Sequence, residues 1–344
     1  MGTTALQVAL LPRCDPARFV RVEAGLLARG HPAPILVIAD FARPALLLGR
    51  HQRAASTIDL VAARARGLSP QRRAGGGRTL LVSEGTIGLY LQTPPGTPLA
   101  SAPFPPDRTT NRYVRGLLAA LRQLGARQAA WFGRDFVSNS GRQVATVSQE
   151  GTPAGTVALE AFLAVSRSLE PPAELRRDGL HSDPRARGPA AVSLAELAAR
   201  TPSFDEVAAA LMAGWGGSSG QVPEPVDGAL PEVELPSAEE DETGLSTSGP
   251  IEIPIGFLEA LTAAAAGRLV GPRLRGDFIA PAAAVAALEA ALEGAPLDAG
   301  EVGRRVNQAF HQPGAFLQGV TGLGTLAQAV LDAGRLAAGS TGVA

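Results

Sequence analysis

Three consecutive glycines, with two arginines just before them and an apolar segment just after, constrain this chain more than any other stretch. The segment from Gln71 to Leu91 reads QRRAGGGRTLLVSEGTIGLYL. Leu80, Leu81 and Val82, then Ile87, Leu89 and Leu91, supply β-favouring apolar positions, with Gly85 as punctuation. The run Gly75, Gly76, Gly77 leaves backbone N–H groups that no Cβ shields, so an anionic or carbonyl-bearing ligand can approach closely. Arg72, Arg73 and Arg78 add fixed positive charge suited to phosphate or carboxylate. The competing reading is a glycine turn on a hairpin with solvated arginines. Composition alone favours it, because short glycine motifs recur by chance.

The rest of the composition narrows the chemistry. A chain of 344 residues predicts about two domains. A net charge of -1 implies no pull toward nucleic acid or a membrane surface. All 31 basic residues are arginine, so no side-chain amine is present to act as a nucleophile. Cys14 is the sole cysteine, which excludes an intramolecular disulfide or a thiolate metal cluster. His31, His51, His181 and His311 lie far apart in sequence and predict no metal site. No charged-plus-apolar leader and no long apolar run is present, so a soluble cytoplasmic protein is the expectation.

Along the chain, strand signals at 34–39, 45–49, 131–137, 144–148 and 156–165 alternate with helical spacing at 19–29, 58–66 and 111–124. Helices are predicted at 192–200 and 204–215, each opened by a capping-box spelling, Ser193 with Glu196 and Ser203 with Glu206. Residues 216–250 are rich in Pro, Gly and Ser, carry the acidic run Glu239 to Glu242, and contain no arginine. Such a stretch buries too little apolar surface to offset its ordering entropy and reads as a linker. The organisation expected is therefore a domain over 1–215, the linker, a smaller unit over 251–336 and a disordered tail over 337–344.

The order of motifs resembles the lipoate–protein ligase A family. Leu48-Gly49-Arg50-His51-Gln52, then Arg72-Arg73-x-Gly75-Gly76-Gly77 and Gly85, resemble its first half. Gly133-Arg134-Asp135-Phe136 and Gly141-Arg142-Gln143-Val144-Ala145 resemble its second block, and Gly155-Thr156-x-x-Leu159 its Gly-Thr strand. Val192-Ser193-Leu194 is similar to the stretch that opens its closing helices. Gly276-Asp277-Phe278 with Leu288-Glu289 and Leu292-x-Gly294 resemble its accessory domain. The resemblance implies the α/β (α+β) biotin/lipoate protein ligase fold, a mixed, largely antiparallel sheet flanked by helices, plus a small α/β accessory domain. It implies ATP- and Mg²⁺-dependent activation of lipoate or octanoate to an acyl-adenylate. Transfer to a lysine of a lipoyl carrier domain would follow. Arg72, Arg73, Gly75, Gly76, Gly77, Arg78, Gly155 and Thr156 become the implied substrate- and nucleotide-binding residues, and Asp135 the implied metal position.

Four positions depart from that pattern. Gln143 stands where the family has the lysine that contacts acyl carbonyl and phosphate, Arg134 where it has asparagine, Ala154 where a histidine is usual, and Thr146 where it has glycine. A glutamine donates a hydrogen bond but brings no charge, and losing one such donor costs on the order of a hundred- to a thousand-fold in rate. Arg142 or Arg78 is positioned in sequence to supply the missing charge. The expectation is a ligase with lost or altered activity. The alternative is a catalytically silent acyl-binding or protein-interaction member of the fold. His51 in its turn, Trp131 and Phe132 read as structural, and Cys14 lies outside every motif.

Overall fold

The computed structural model describes residues 5–96, 109–177, 189–219, 223–226, 228–235, 237 and 241–340. In chain order the elements begin with β1 (Gln7–Cys14), α1 (Pro16–Arg29), β2 (Ile35–Phe41), β3 (Ala45–Leu48), α2 (Ala54–Thr57) and α3 (Leu60–Ala65). They continue with β4 (Pro70–Arg72), β5 (Leu80–Val82), β6 (Thr86–Thr93), α4 (Thr109–Gln123), β7 (Ala129–Trp131) and β8 (Phe136–Asn139). Next come β9 (Arg142–Gly151), β10 (Val157–Ala164), α5 (Leu194–Ala198), α6 (Phe204–Ser219), β11 (Glu224–Pro225) and β12 (Ser246–Thr247). The chain closes with β13 (Ile251–Ile253), β14 (Gly256–Ala265), β15 (Arg268–Gly276), α7 (Ala282–Leu292), α8 (Ala299–Phe310) and α9 (Leu323–Ser340).

An eight-stranded sheet in the order β11-β1-β2-β6-β10-β9-β8-β7 forms the centre. Its pairs are parallel at β11/β1 and β1/β2 and antiparallel at every other step. Both faces are covered, which is why β2, β6 and β10 are nearly continuous apolar runs. On one face α4 and α6 pack Leu117, Leu121, Leu211 and Trp215 against Leu36, Leu89 and Val147. On the other face lie α1 and a three-stranded sheet, β4-β3-β5, whose Leu47, Leu80 and Val82 join Phe19, Val37 and Phe162. The mixed, largely antiparallel sheet flanked by helices is the architecture expected. Both capping boxes form: the Ser193 and Ser203 hydroxyls each accept an N–H three residues on, and each glutamate reaches back to the cap.

Strands β12 to β15 make a second sheet, on which α7, α8 and α9 pack a separate core around Leu258, Leu274, Phe278, Leu288, Val306 and Leu326. The stretch 216–250 differs from the linker expected. Residues up to Ser219 continue α6, Glu224 and Pro225 add a strand beside β1, and Val226, Leu230 and Leu235 pack under α1. Glu232 accepts from Arg18 and Arg21, both at 3.0 Å. The apolar residues are sparse, but they are spaced to fit a groove the domain already offers. Glu239 and Glu240 of the acidic run lie outside the described residues, as do 97–106 of the Pro-rich loop and 341–344 of the tail. Ala337 to Ser340 are helical rather than frayed. Cys14 ends β1 buried, and burial pushes its thiol up to about 11. Among the described residues, no helix is long and apolar enough to cross a membrane.

Candidate active site

The triple-glycine loop is not an open cradle. Arg50 N–H donates to Gly75 O at 2.8 Å, and Gly75 N–H donates to Glu160 Oε2 at 2.8 Å. A Cβ on Gly75 would stand 2.6 Å from Ser148 Oγ, and one on Gly76 would stand 2.5 Å from Phe278 O. Gly77 adopts a φ of 88° and points its N–H at Phe278 O, 3.4 Å away. Glycine is required here because protein backbone and side chains press against the loop from both sides. The expected approach of a ligand to these three peptides is therefore taken up by Glu160 and by the segment after β15.

Arg72 and Arg73 are likewise committed to protein. Arg72 Nη1 donates to the carbonyls of Gly49, Arg50 and Gln52, the last at 2.7 Å, and so ties down the turn after β3. Arg73 forms a buried ion pair with Glu160, donates to Arg78 O at 2.9 Å, and lies over the Phe162 ring. Both side chains are nearly inaccessible, at 5% and 3% exposure. The sequence shows two arginines beside a glycine run, but it does not show the acceptors that turn them inward.

Arg78, Asp135 and Gln143 do come together. A cavity of about 110 Å³ opens between the small sheet, β9 and the C-terminal unit, and Arg78, Thr79, Gln143, Thr146 and Asp277 line it beside Ile58, Leu80 and Leu169. Arg78 Nε donates to Asp135 Oδ2 at 2.8 Å, and its Nη2 lies 3.4 Å from Gln143 Oε1. Asp135 Oδ1 is buried and has no hydrogen-bond partner. Arg142, the other candidate for the missing charge, is exposed and bonds Glu196 and the carbonyl of Ala191 at the cavity's edge, and does not itself line the cavity. Arg134 reaches Pro254 O instead of the cavity. Gly155 and Thr156 close the β9–β10 hairpin with Thr152, and Ala154 is exposed in that turn. That end of β10 is roughly 25 Å along the strand from Ala164 at the cavity, so the pair does not join the site.

Four residues without an assigned role in the sequence organise the closure. Gln52 accepts from Gly49 N–H and Thr79 Oγ1, both at 2.8 Å, and donates to Asp277 Oδ1 at 2.5 Å. Asp277 Oδ2 also accepts from Phe257 N–H at 2.8 Å. Burial pushes the Asp277 carboxyl up to about 6, against the pull of these donors. His51 stacks on Phe278 with ring centroids 4.8 Å apart and donates from Nε2 to Ala280 O at 2.9 Å. Burial pushes its pKa down to about 3, so the ring is neutral. Glu150 accepts from Ala282 N–H at the start of α7 at 3.0 Å and from Gly151 N–H, and burial pushes it up to about 8. The signal in the sequence was the Gly276-Asp277-Phe278 motif, whose partner at Gln52 lies 225 residues away.

A family model described as the lipoyl protein ligase A/B catalytic domain matches residues 20–216. No curated protein matches the chain. Among solved structures, LipL1 of P. falciparum in complex with lipoate is similar with a TM-score of 0.68 at 11% identity, covering 95% of this chain and 99% of that one. The bipartite lipoate protein ligase of Thermoplasma acidophilum, described with its E2 lipoyl domain, gives 0.53 at 16% identity, covering 65% and 88%. A lipoate-protein ligase A bound with ATP gives 0.50 at 14% identity, covering 66% and 90%. At these identities the likeness is one of fold.

Proposed function

The chain belongs to the lipoyl protein ligase A/B catalytic domain family, and from that premise we propose that it binds a medium-chain carboxylic acid, the class of lipoate and octanoate, and activates it with ATP. The observation that carries this reading is Arg78. Its guanidinium is held at the cavity wall by Asp135 at 2.8 Å and reaches toward the amide of Gln143. Arg78 thus keeps a cation at the cavity wall although position 143 is neutral, and a guanidinium suits a carboxylate or an acyl phosphate. Gln143 is half-buried and adds a neutral donor through Nε2.

In the reaction the bound carboxylate attacks the α-phosphorus of ATP, pyrophosphate leaves, and a carrier-domain lysine then displaces AMP from the acyl carbon. Arg78 offsets the negative charge that builds on the acyl phosphate. Asp135 fits a Mg²⁺ held jointly with nucleotide phosphates, because its Oδ1 is buried and unpartnered and Mg²⁺ commonly takes one or two protein carboxylates. The ion would neutralise phosphate charge. No group of three or more metal-ligating side chains occurs among the described residues, so nucleotide oxygens would complete its shell.

A second reading is favoured by Arg72, Arg73 and the glycine peptides. Both arginines and the N–H groups of Gly75 and Gly77 are engaged by protein acceptors, which leaves a triphosphate fewer donors. On that reading the chain binds the acid without adenylating it. Pyrophosphate release on mixing with ATP, Mg²⁺ and lipoate or octanoate separates the two. Release above background, abolished in Arg78→Ala, supports activation. Acid binding by calorimetry with no release leaves the silent reading standing.

A further inference from the structure

A band of arginine starts at the rim of the cavity and runs outward over the edge of the large sheet. From Thr109 to Gln149 the chain carries six arginines and one acidic residue, Asp135, whereas elsewhere acidic residues outnumber arginines. Arg134 precedes Asp135 and Arg142 precedes Gln143, so the two flank the site on either side of β8. Arg127 lies beside the turn between β8 and β9. Its neighbour Gln128 donates its N–H to Asn139 Oδ1 at 2.9 Å and accepts from Ser140 Oγ at 2.6 Å. Arg122 reaches the same edge from α4, donating to Ala129 O at 2.8 Å. On α4, Arg112, Arg115 and Arg122 stand at i, i+3 and i+10, within about 80° of one another around the helix. They lie on the side turned away from the buried Tyr113, Leu117 and Leu121. Strand β7 is the last of its sheet, and Phe132, at the tip of the β7–β8 hairpin, is 77% exposed.

Little within the protein answers this charge. Arg142 pairs with Glu196 at 3.2 Å between exposed side chains. Arg122 and Arg134 donate to backbone carbonyls, which leave their charge in place. Among the described residues, Arg115 and Arg127 form no ion pair. Helix α6, which packs on α4, carries Asp205 and Glu206 in its first turn, and Glu206 is already paired with Arg200. Side chains of one sign gathered on one face set up a potential that draws in the opposite charge.

The geometry points to a docking face for a carrier domain that is acidic around its acceptor lysine. This rests on the reading that the activated acid is handed to a carrier. Three observations favour a protein over a nucleic acid. The band begins beside Asp135 and Gln143, so a partner seated on it brings its lysine to the cavity. Phe132 stands at that end, three residues and at most roughly 10 Å along the chain from Asp135. An exposed aromatic among arginines is the kind of anchor that protein interfaces use. Outside the band the chain is acidic on balance, which opposes a long polyanion. Attraction of this kind speeds encounter and orients the partner, and salt weakens it.

Calorimetry on the full chain tests it, with an unmodified lipoyl-type carrier domain of net negative charge as the probe, at about 50 and about 300 mM salt. Arg115→Glu combined with Arg127→Glu is expected to weaken binding by about tenfold or more at low salt, and by less at high salt. Phe132→Ser is expected to weaken it about fivefold at both. Arg29→Glu makes the same kind of charge change on an exposed residue of α1, across the sheet, and is expected to change binding by less than about twofold. Pyrophosphate release without carrier is expected to match the parent in every variant, because none of these residues lines the cavity. Should the double reversal melt early, Arg115→Gln with Arg127→Gln takes its place. No carrier binding by the parent, or an equal loss in Arg29→Glu, overturns the docking face. Tighter binding of an oligouridine than of the carrier, lost in the same double variant, overturns it too and makes the band a nucleic-acid surface. Carrier binding that depends on the band, in a chain that releases no pyrophosphate, keeps the face and removes the activation reading.

Discussion

At the scale of single residues the site turns on which cation faces the cavity. With Arg78 already there, Gln143→Lys is expected to raise pyrophosphate release by less than tenfold; a rise of a hundredfold or more would mean that the parent site lacks an effective cation. The buried pair of Arg73 and Glu160 makes a second test. Glu160→Gln leaves a guanidinium uncompensated at 3% exposure, and removing one partner of such a pair costs about 3–5 kcal/mol. Urea denaturation should show that loss, and a change under about 1 kcal/mol would contradict the pairing. Arg78, Asp135 and Gln143 each sit beside a glycine-marked turn in the sequence, and the structure brings the three side chains together. Arg72 and Arg73 turn inward instead of toward a ligand. A sequence reports a guanidinium's charge but not its acceptor: Arg72 finds the carbonyls of the turn after β3, and Arg73 finds Glu160, 87 residues away. Gly155 and Thr156 were misplaced for a related reason: their strand reaches the cavity, but by its other end.

At the scale of elements, most strands and helices could be read from periodicity, because the buried strands are apolar throughout and α4 and α6 carry regular stripes. Which strands share a sheet could not. Strands β2 and β3 follow one another within four residues yet belong to different sheets, a choice made by long-range pairing. The contact between the glycine loop and the segment after β15 also escaped the sequence. Gly76→Ala places a Cβ against Phe278 O, and overpacking of this kind costs about 1–3 kcal/mol; an unchanged denaturation midpoint would argue against the contact. Helix α7 starts at Glu150, whose carboxyl burial pushes up to about 8, while Asp277 is pushed up to about 6. Both bind a proton more tightly folded than unfolded, so stability is greatest below their ordinary values of 4.5 and 3.8. It declines as pH rises toward 8. Denaturation midpoints from pH 5 to 8.5 should fall, and Glu150→Gln should make the fall between about 6 and 8 shallower.

At the scale of the whole molecule, the second sheet with its helices meets the large sheet's side at the cavity. The C-terminal core, around Leu258, Leu274, Leu288, Val306 and Leu326, closes on its own residues. We propose it as an independent unit, and residues 245–340 expressed alone are expected to unfold cooperatively on heating; a featureless melt would show that it depends on the larger sheet. Between the units, Arg53 bonds Glu242 at 2.5 Å and Glu259 at 3.2 Å, and Gln52 bonds Asp277. The sealed position of Cys14 has a practical use. With its thiol pushed up to about 11, it stays silent toward maleimides at neutral pH. A cysteine placed at Phe132, 77% exposed and two residues from the arginine that reaches Pro254, would carry the only dye on the chain. Fluorescence from that position would report when the two units part.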